Sequence, residues 1–394
     1  MPPTFVIPTP RSRWSDGLVH GLGDPLADAR ILDRTLADWR RSVGPDALPS
    51  SPNSPISGPA LLVGEHLWLS PGAAEAFVKA AVGATGIVRL GRRADGPGGF
   101  ADPLARLPRT PDGATVLFDV WHVPSGVSLP VLTAEGALPA LLEDAETRDL
   151  TGRDLPWKMP IDPEITGEKE LILPLSSLAV APVGHWVELL RANLLAIAAE
   201  ALRTPTARGV LSLLWAALRA LSLNPYRVLQ KLTVRGRKCQ IHPSAVVEGC
   251  HLGDRVKVDA GAVLRGCWIG DDVEVGAQAI AEFTVIGHGA RLQRRAVANM
   301  TVLYPGARCG GILQLGFMGE AAVTKMFAVG TDMRLGQAVG VRVPGGAIAE
   351  VDMRYQGVCI GHRAFVGSGV WIAPGRVIEA DRRVVRDPAL MVLT

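Results

Sequence analysis

Between Leu252 and Arg308 the chain repeats itself with a step of 17 residues. Leu252-Gly253-Asp254-Arg255-Val256 is echoed by Ile269-Gly270-Asp271-Asp272-Val273. Ile286-Gly287-His288-Gly289-Ala290 and Leu303-Tyr304-Pro305-Gly306-Ala307 follow at the same interval. Inside each step, aliphatic residues recur at spacings of 6, 6 and 5: Leu252, Val258, Leu264, then Ile269, Val275, Ala281, then Ile286, Leu292, Ala298, then Leu303. An α-helix cannot generate a six-residue period, and a lone strand alternates every second residue. A six-residue rung can. Each rung supplies a short strand, one inward aliphatic residue and a turn, and three rungs close a triangular coil. Such coils stack at the strand spacing of about 4.8 Å. Small residues such as Gly253, Gly270, Gly276 and Gly287 follow the aliphatic one because the corner is tight. The pattern therefore predicts a parallel β-helix over 239–394. Its register predicts columns of residues 17 apart: Cys250, Cys267, Thr284 and Thr301 in one, and Asp254, Asp271 and His288 in another.

These repeats resemble the hexapeptide-repeat transferase superfamily. The resemblance implies that the coil is left-handed, against the usual right-handed crossover. It also implies an acyltransferase acting on a sugar or nucleotide-sugar acceptor, with acyl-CoA or acyl-carrier protein as donor. A homotrimer with sites between subunits is implied as well.

Across its 394 residues the chain is 48% hydrophobic with a net charge of +3. It has ample material for two or three cores, and nothing in that balance implies a nucleic-acid surface. All five cysteines (Cys239, Cys250, Cys267, Cys309, Cys359) lie in the C-terminal half without a CxxC pair. Zinc is not expected, and reduced thiols at turns are. Met1 to Pro10 lacks the basic-then-apolar pattern of a secretory signal, and no apolar run is long enough to span a membrane. The expectation is a cytoplasmic protein.

Residues 1–204 read as an α/β domain. Thr4 to Pro8, Ala60 to Glu65, Gly86 to Leu90 and Thr115 to Val120 are strand-like. Helices are expected from about Pro25 to Val43, from Ser70-Pro71 to Val82 and from Leu138 to Glu146. The proline-rich stretch 44–59 reads as an exposed loop. A second resemblance enters here, to sugar-phosphate nucleotidyltransferases. Its carriers are Pro25-Leu26-Ala27-Asp28-Ala29-Arg30-Ile31-Leu32, Leu62-Val63-Gly64-Glu65-His66 and Trp186-Val187-Glu188-Leu189-Leu190-Arg191-Ala192-Asn193. The departures weigh more. That family's glycine-rich phosphate loop is replaced by Ile7-Pro8-Thr9-Pro10-Arg11-Ser12-Arg13, where the backbone has no glycine to approach a pyrophosphate. Glu65 stands where the family has its metal aspartate, and Val183-Gly184-His185 stands where a second is expected. The domain reads as a degenerate nucleotidyltransferase, with Glu65 holding magnesium only if it is active.

Residues 205–238 read as a helical connector, apolar on one side and rich in arginine and lysine. Two readings compete: a packing connector, and a helix lying on an anionic membrane surface. Residues 309–357 break the hexad rhythm and read as an excursion from the β-helix, the kind of loop that carries a site. The rhythm returns at Ile360, Val366, Ile372 and Ile378.

Acyl transfer from a thioester needs a base near neutrality, which histidine supplies. His242 reads as an end cap. His251 shares a column with Trp268, Val285 and Val302 and reads as packing. His362 and His288 are the base candidates, with His362 first because it stands at the return edge of the excursion. Each also has a plain reading as a turn-exposed histidine. Glu320, Asp332, Glu350 and Asp352 are candidates to orient the base. By the family resemblance, Gly361, Gly367 and Gly369 let a pantetheine arm lie along the coils, and Lys325 meets a phosphate or carboxylate. The rival readings are an altered nucleotidyltransferase and a non-catalytic trimeric scaffold.

Overall fold

The structure, a computed structural model, describes residues 4–7, 17–43, 55–93, 102–130, 140–150, 154–160, 170–202, 218, 224–335 and 337–387. The chain divides into two compact units, Met1–Arg203 and Thr204–Thr394.

The first unit is built on a mixed five-stranded sheet. Its order is Thr4–Ile7, Ala60–Gly64, Thr115–Val123, Val88–Arg93, Glu146–Asp149. The outer pairs are parallel and the two inner pairs antiparallel. Leu61, Val63, Leu90, Phe118 and Val120 line one face and pack with Ala73, Ala74 and Phe77 of the helix Pro71–Ala80. Phe77 is fully buried, which stabilises the layer by about 2–3 kcal/mol. The Ser70-Pro71 start is the expected one: Ser70 Oγ accepts from the Ala73 amide at 3.3 Å, satisfying a first-turn donor. Leu62, Trp121 and Val123 line the opposite face with Ile56 and Leu142.

Two expectations fail in this unit. Pro25–Val43 is not one helix. It is a short 3-10 turn Leu26–Asp28, a tight hairpin pairing Arg30–Ile31 with Arg34–Thr35, and a helix only from Leu36 to Val43. Leu32 and Asp33 both have positive φ, 50° and 65°, the geometry of a two-residue hairpin turn. Thr35 and Asp38 then form a reciprocal cap: the Asp38 amide donates to Thr35 Oγ1 at 3.1 Å and the Thr35 amide to Asp38 Oδ2 at 3.3 Å. The Thr-x-x-Asp signal was there to stop the helix at Thr35. The other failure concerns 55–59, the described end of the proline-rich stretch. Ile56–Ser57 pairs with Ser128–Leu129, and Ile56 is buried.

The helix Trp186–Leu202 closes the unit. Asn193 is fully buried on it. Its Oδ1 accepts from the Leu32 amide at 2.9 Å, and its Nδ2 donates to the Arg30 and Leu189 carbonyls at 2.9 and 3.0 Å. The Ala192-Asn193 pair thus clamps the Arg30–Thr35 hairpin to the helix.

The second unit is a parallel β-solenoid. Three parallel sheets of eight, eight and seven strands form its faces. The first face runs from Val234–Arg235 to Val377–Ile378, the second from Gln240–Ile241 to Arg383–Val384, the third from Val246–Glu248 to Trp371–Ile372. The inward columns are those read from the repeat. Leu252, Ile269, Ile286 and Leu303 stack on the first face, Val258, Val275 and Leu292 on the second, and Leu264, Ala281 and Ala298 on the third. All are at most 2% exposed, so the interior is one continuous apolar rod.

The excursion is narrower than 309–357. Ile312–Gln314, Phe317–Met318, Val323–Thr324 and Val329–Gly330 are regular rungs, each paired with the coil below. The rhythm was lost because one corner is short by two residues. Leu292 is followed by four residues before Val297, whereas Cys309 reaches Ile312 through Gly310 and Gly311 alone. A Cβ at Gly311 would lie 2.0 Å from the Ala328 carbonyl oxygen, so only glycine lets the chain cut this corner. The chain leaves the coil after Gly330 and returns at Cys359, and between them Gly340–Arg342 pairs with Ile348–Glu350 in a hairpin. Connector residues 205–223 lie outside the described residues apart from Leu218. Beyond them, Pro225–Leu232 is helical and packs on the first rung of the third face. No described helix is long and apolar enough to cross a membrane.

Candidate functional site

The corner between the first and second faces is where both candidate histidines stand. Its column runs Arg237, Asp254, Asp271, His288, Pro305, Glu320, His362, Ala380, set by the pairing of the flanking strands. The next column is held at positive φ by residues that include Lys238, Arg255, Asp272, Gly289, Ala321 and Arg363. Three coil steps separate His288 from His362, roughly 14 Å at the spacing of stacked strands. The two do not form one site.

The column explains what His362 does. The Arg237 amide donates to Asp254 Oδ1 at 2.7 Å, and the Asp254 amide to Asp271 Oδ1 at 2.7 Å. The Glu320 amide donates to His362 Nδ1 at 2.9 Å. In all three, a side chain one coil up satisfies the corner amide below it. His362 is 8% exposed, with Tyr304 6.0 Å away between ring centres. Because Nδ1 spends its lone pair on an amide, the neutral imidazole carries its proton on Nε2. His362 in this arrangement offers a donor and not a base.

The His288 side chain is 59% exposed, open to solvent as those of Arg237 and Asp271 in its column are. Its Nδ1 stands 3.7 Å from Asp272 Oδ2. A carboxylate facing Nδ1 favours the tautomer whose Nε2 can accept a proton. The Arg255 side chain bonds both oxygens of Asp272, at 2.6 Å each, and holds its carboxyl below the ordinary carboxylate range, with His288 adding to the effect. The chain from Arg255 to Asp272 to His288 climbs the corner one coil at a time.

The four carboxylates expected to orient a base stand in different settings. Glu320 gives His362 its backbone amide. Asp332 gives its carbonyl to the Gln356 amide, and burial raises its carboxyl. Glu350 pairs with Gly340 in the hairpin and Asp352 follows just after it. The carboxylate that does face a candidate base is Asp272: the step that puts Asp271 below His288 puts Asp272 beside that position.

Gly367 and Gly369 lie at the corner between the second and third faces, and Lys325 lies one coil below Gly367. Lys325 Nζ sits 5.8 Å from the centre of the Phe365 ring. Gly361 belongs to the other corner, beside His362. Its absent Cβ would meet the Ala380 amide at 2.6 Å, so its smallness serves coil stacking. The residues grouped as donor-binding therefore divide between two corners.

In the first unit, Glu65 is half-buried, and its carbonyl oxygen accepts from Arg40 Nη2. Burial pushes Arg40 down to about 10, and the Glu65 charge opposes this. Among the described residues no three histidine, cysteine or acidic side chains gather as a metal would require. At the second expected metal position, His185 caps the closing helix, its Nδ1 accepting from the Val187 amide at 3.2 Å. Glu188 in the first turn is fully buried, with Arg106 Nη1 at 3.5 Å. Burial pushes its carboxyl up to about 7, with Arg106 opposing and Asp102 assisting.

The outward columns of the solenoid differ by face. The second face presents Gln240, Lys257, Glu274, Arg291 and Arg308, then Val323, Phe365 and Arg383. The third presents an apolar column, Val246, Val263, Ile280, Val297, Ile312, Val329 and Trp371, beside a polar one, Glu248, Arg265, Glu282, Asn299 and Gln314. Trp371 is 74% exposed, and Phe327, which leads into Val329 with φ of 61°, is 71% exposed. His251 and Trp268 stack in parallel at 3.9 Å on the first face, the packing role expected of His251. Compared with family models and with curated proteins, the chain matches none of either.

Proposed function

We propose that the solenoid is an acyltransferase-like scaffold of the hexapeptide-repeat kind. It takes a sugar or nucleotide-sugar acceptor and an acyl-CoA or acyl-carrier-protein donor, and His288 is the base. The observation that carries this is the Asp272 carboxylate facing His288 Nδ1 at an exposed corner. The dyad leaves Nε2 directed away from its orienting group, as proton abstraction from an acceptor hydroxyl or amine requires. His362, whose Nδ1 is engaged by an amide, takes a structural part. The first unit serves as a nucleotide-sugar-binding relic and not a magnesium-dependent nucleotidyltransferase, since Glu65 stands beside the half-buried Arg40.

Calorimetric titration with acetyl-CoA and free CoA tests the donor site, followed by turnover over a panel of amino-sugar and nucleotide-sugar acceptors. Micromolar binding, about −8 kcal/mol, is expected for the wild type and for His288→Ala, and turnover is expected to be lost in the variant. Turnover unchanged in His288→Ala, or no heat with either ligand, overturns the assignment.

A second reading, a self-associating scaffold, is favoured by the apolar column on the third face. Seven stacked apolar side chains, the last of them the exposed Trp371, with the exposed Phe327 two residues before Val329, make a contiguous patch of the kind that marks protein association. A second copy of the chain is its proposed occupant, in the trimer that the family resemblance implies. Light scattering on Ile280→Glu/Ile312→Glu separates the readings. A trimer that falls to monomer supports self-association by this face, and a monomeric wild type removes it.

A further inference from the structure

The solenoid opens at its first coil on a cavity of about 330 Å³. It is lined by Gln230 and Lys231 of the helix Pro225–Leu232, by Thr233 and Arg235, and by Ile241, Ala245 and Val247. Arg235 is out of place there. It pairs with Leu252 in the inward column of the first face, whose higher members are Ile269, Ile286, Leu303, Met318, Ile360 and Ile378. Every other described position of that column is aliphatic or a methionine, as a packed rod demands. This is the first rung, with no coil beneath it, and Arg235 is exposed there, so its guanidinium is open to solvent at the mouth of the cavity.

The surroundings give its charge no internal use. Arg237 is paired with Asp254, and the nearby Glu248 is paired with Arg265. Among the described residues no carboxylate lies within ion-pair distance of Arg235 or Lys231. From Ala201 to Val247 the chain contains no acidic residue at all. Two cations and a glutamine amide therefore converge on a mouth whose floor, Ile241, Ala245 and Val247, is apolar.

We propose that this mouth binds an anionic amphiphile, with a phosphate head between Arg235 and Lys231 and the start of an alkyl chain on the Ile241–Val247 floor. A guanidinium fits phosphate oxygens as a planar fork, and an ammonium adds a point charge. The volume suits a small head group with a few methylenes. The site is independent of the acyl-transfer reading and lies at the opposite end of the rod from the excursion. A phospholipid and a soluble phosphate ester share this chemistry.

The test uses the full chain with inorganic phosphate, monomeric short-chain phosphatidate, and phosphatidylcholine vesicles with or without phosphatidate. Arg235→Leu is the informative variant, because it restores the aliphatic column and should fold at least as well as the wild type. We expect phosphatidate binding that weakens about fivefold or more in Arg235→Leu and similarly in Lys231→Ala, and that falls with added salt. If inorganic phosphate competes as well as the lipid does, the natural ligand is a soluble ester. If the lipid and its vesicles bind far better, the apolar floor contributes and the source is a membrane. No binding of any probe by the wild type, or equal binding by a folded Arg235→Leu, overturns the proposal.

Discussion

The two units hold themselves together in opposite ways. In the solenoid each role is filled many times over. A corner amide is satisfied by Asp254, then Asp271, then His362. A left-handed corner residue recurs as Arg255, Asp272, Gly289, Ala321 and Arg363. In the first unit each role is filled once. Asn193 clamps the Arg30–Thr35 hairpin to the closing helix, and Glu188 sits buried at that helix's start. Repetition therefore gives each solenoid residue its own controls within the same molecule. A position whose residue type departs from its column, such as Arg235, stands out for that reason. The first unit offers no such internal reference.

The sharpest way to break the solenoid's redundancy is at the corner that has no equivalent. Gly311→Val places a Cβ against the Ala328 carbonyl, and backbone on both sides of the short corner prevents it from moving away. The expected cost is about 4 kcal/mol or more, read as a fall in the unfolding midpoint of the second unit. Gly289→Ala is the control. Nothing lies within 4 Å of its Cβ position, and other coils carry arginine, aspartate and alanine there at the same φ. Its cost should stay near about 1 kcal/mol. Equal losses from the two substitutions would mean that the short corner is not specially constrained.

The same contrast decided what the sequence disclosed. The inward columns were legible because period fixes them, and Leu252 to Leu303 fell where the spacing placed them. The rungs from Ile312 to Val329 were missed because the two-residue Gly310-Gly311 corner shifted the count. The role of His362 was within reach: a residue in the column of Asp254 and Asp271 inherits their amide. In the first unit, apolar spacing over Leu26, Ile31, Leu32, Leu36 and Trp39 imitated a helix. Only the local Thr35-x-x-Asp38 signal pointed to the true start. The positive φ at Leu32 and Asp33 had no glycine or asparagine to announce it.

A one-of-a-kind buried group should show in the pH dependence of the first unit. Burial raises Glu188 from 4.5 to about 7. Between those values the native state keeps a proton that the unfolded chain releases, so this group's contribution to stability declines as pH rises and levels off above pH 7. The whole swing is about 3 kcal/mol. Glu188→Gln has no proton to hold. Its stability relative to the wild type should therefore improve by about that amount between pH 4.5 and pH 8. Urea unfolding of both proteins at the two pH values reads it directly. A difference that does not change with pH would place the carboxyl in a wetter site than its burial indicates.

The smallest effect is the most telling for the repeat. Cys267 and Thr284 are successive members of one buried column. The Cys267 thiol lies 3.3 Å from each of the Arg265 and Ala281 carbonyls. The Thr284 hydroxyl lies 3.0 Å from Glu282 and 2.7 Å from Ala298, the corresponding carbonyls one coil on. The amide of the next member donates to the sulfur of Cys250 in one case and to the hydroxyl of Thr284 in the other, at 3.4 Å each. Sulfur and oxygen are thus doing one job, and a reactive thiol is not needed to explain the cysteine. Cys267→Thr should shift the stability of the second unit by less than about 1 kcal/mol. Cys267→Val keeps the bulk but removes the donor and acceptor, and should cost about 1–3 kcal/mol through the hydrogen bonds lost. If threonine proved as costly as valine, the column would not be interchangeable from coil to coil. Assigning His362 a structural part by analogy with Asp254 and Asp271 would then lose its support.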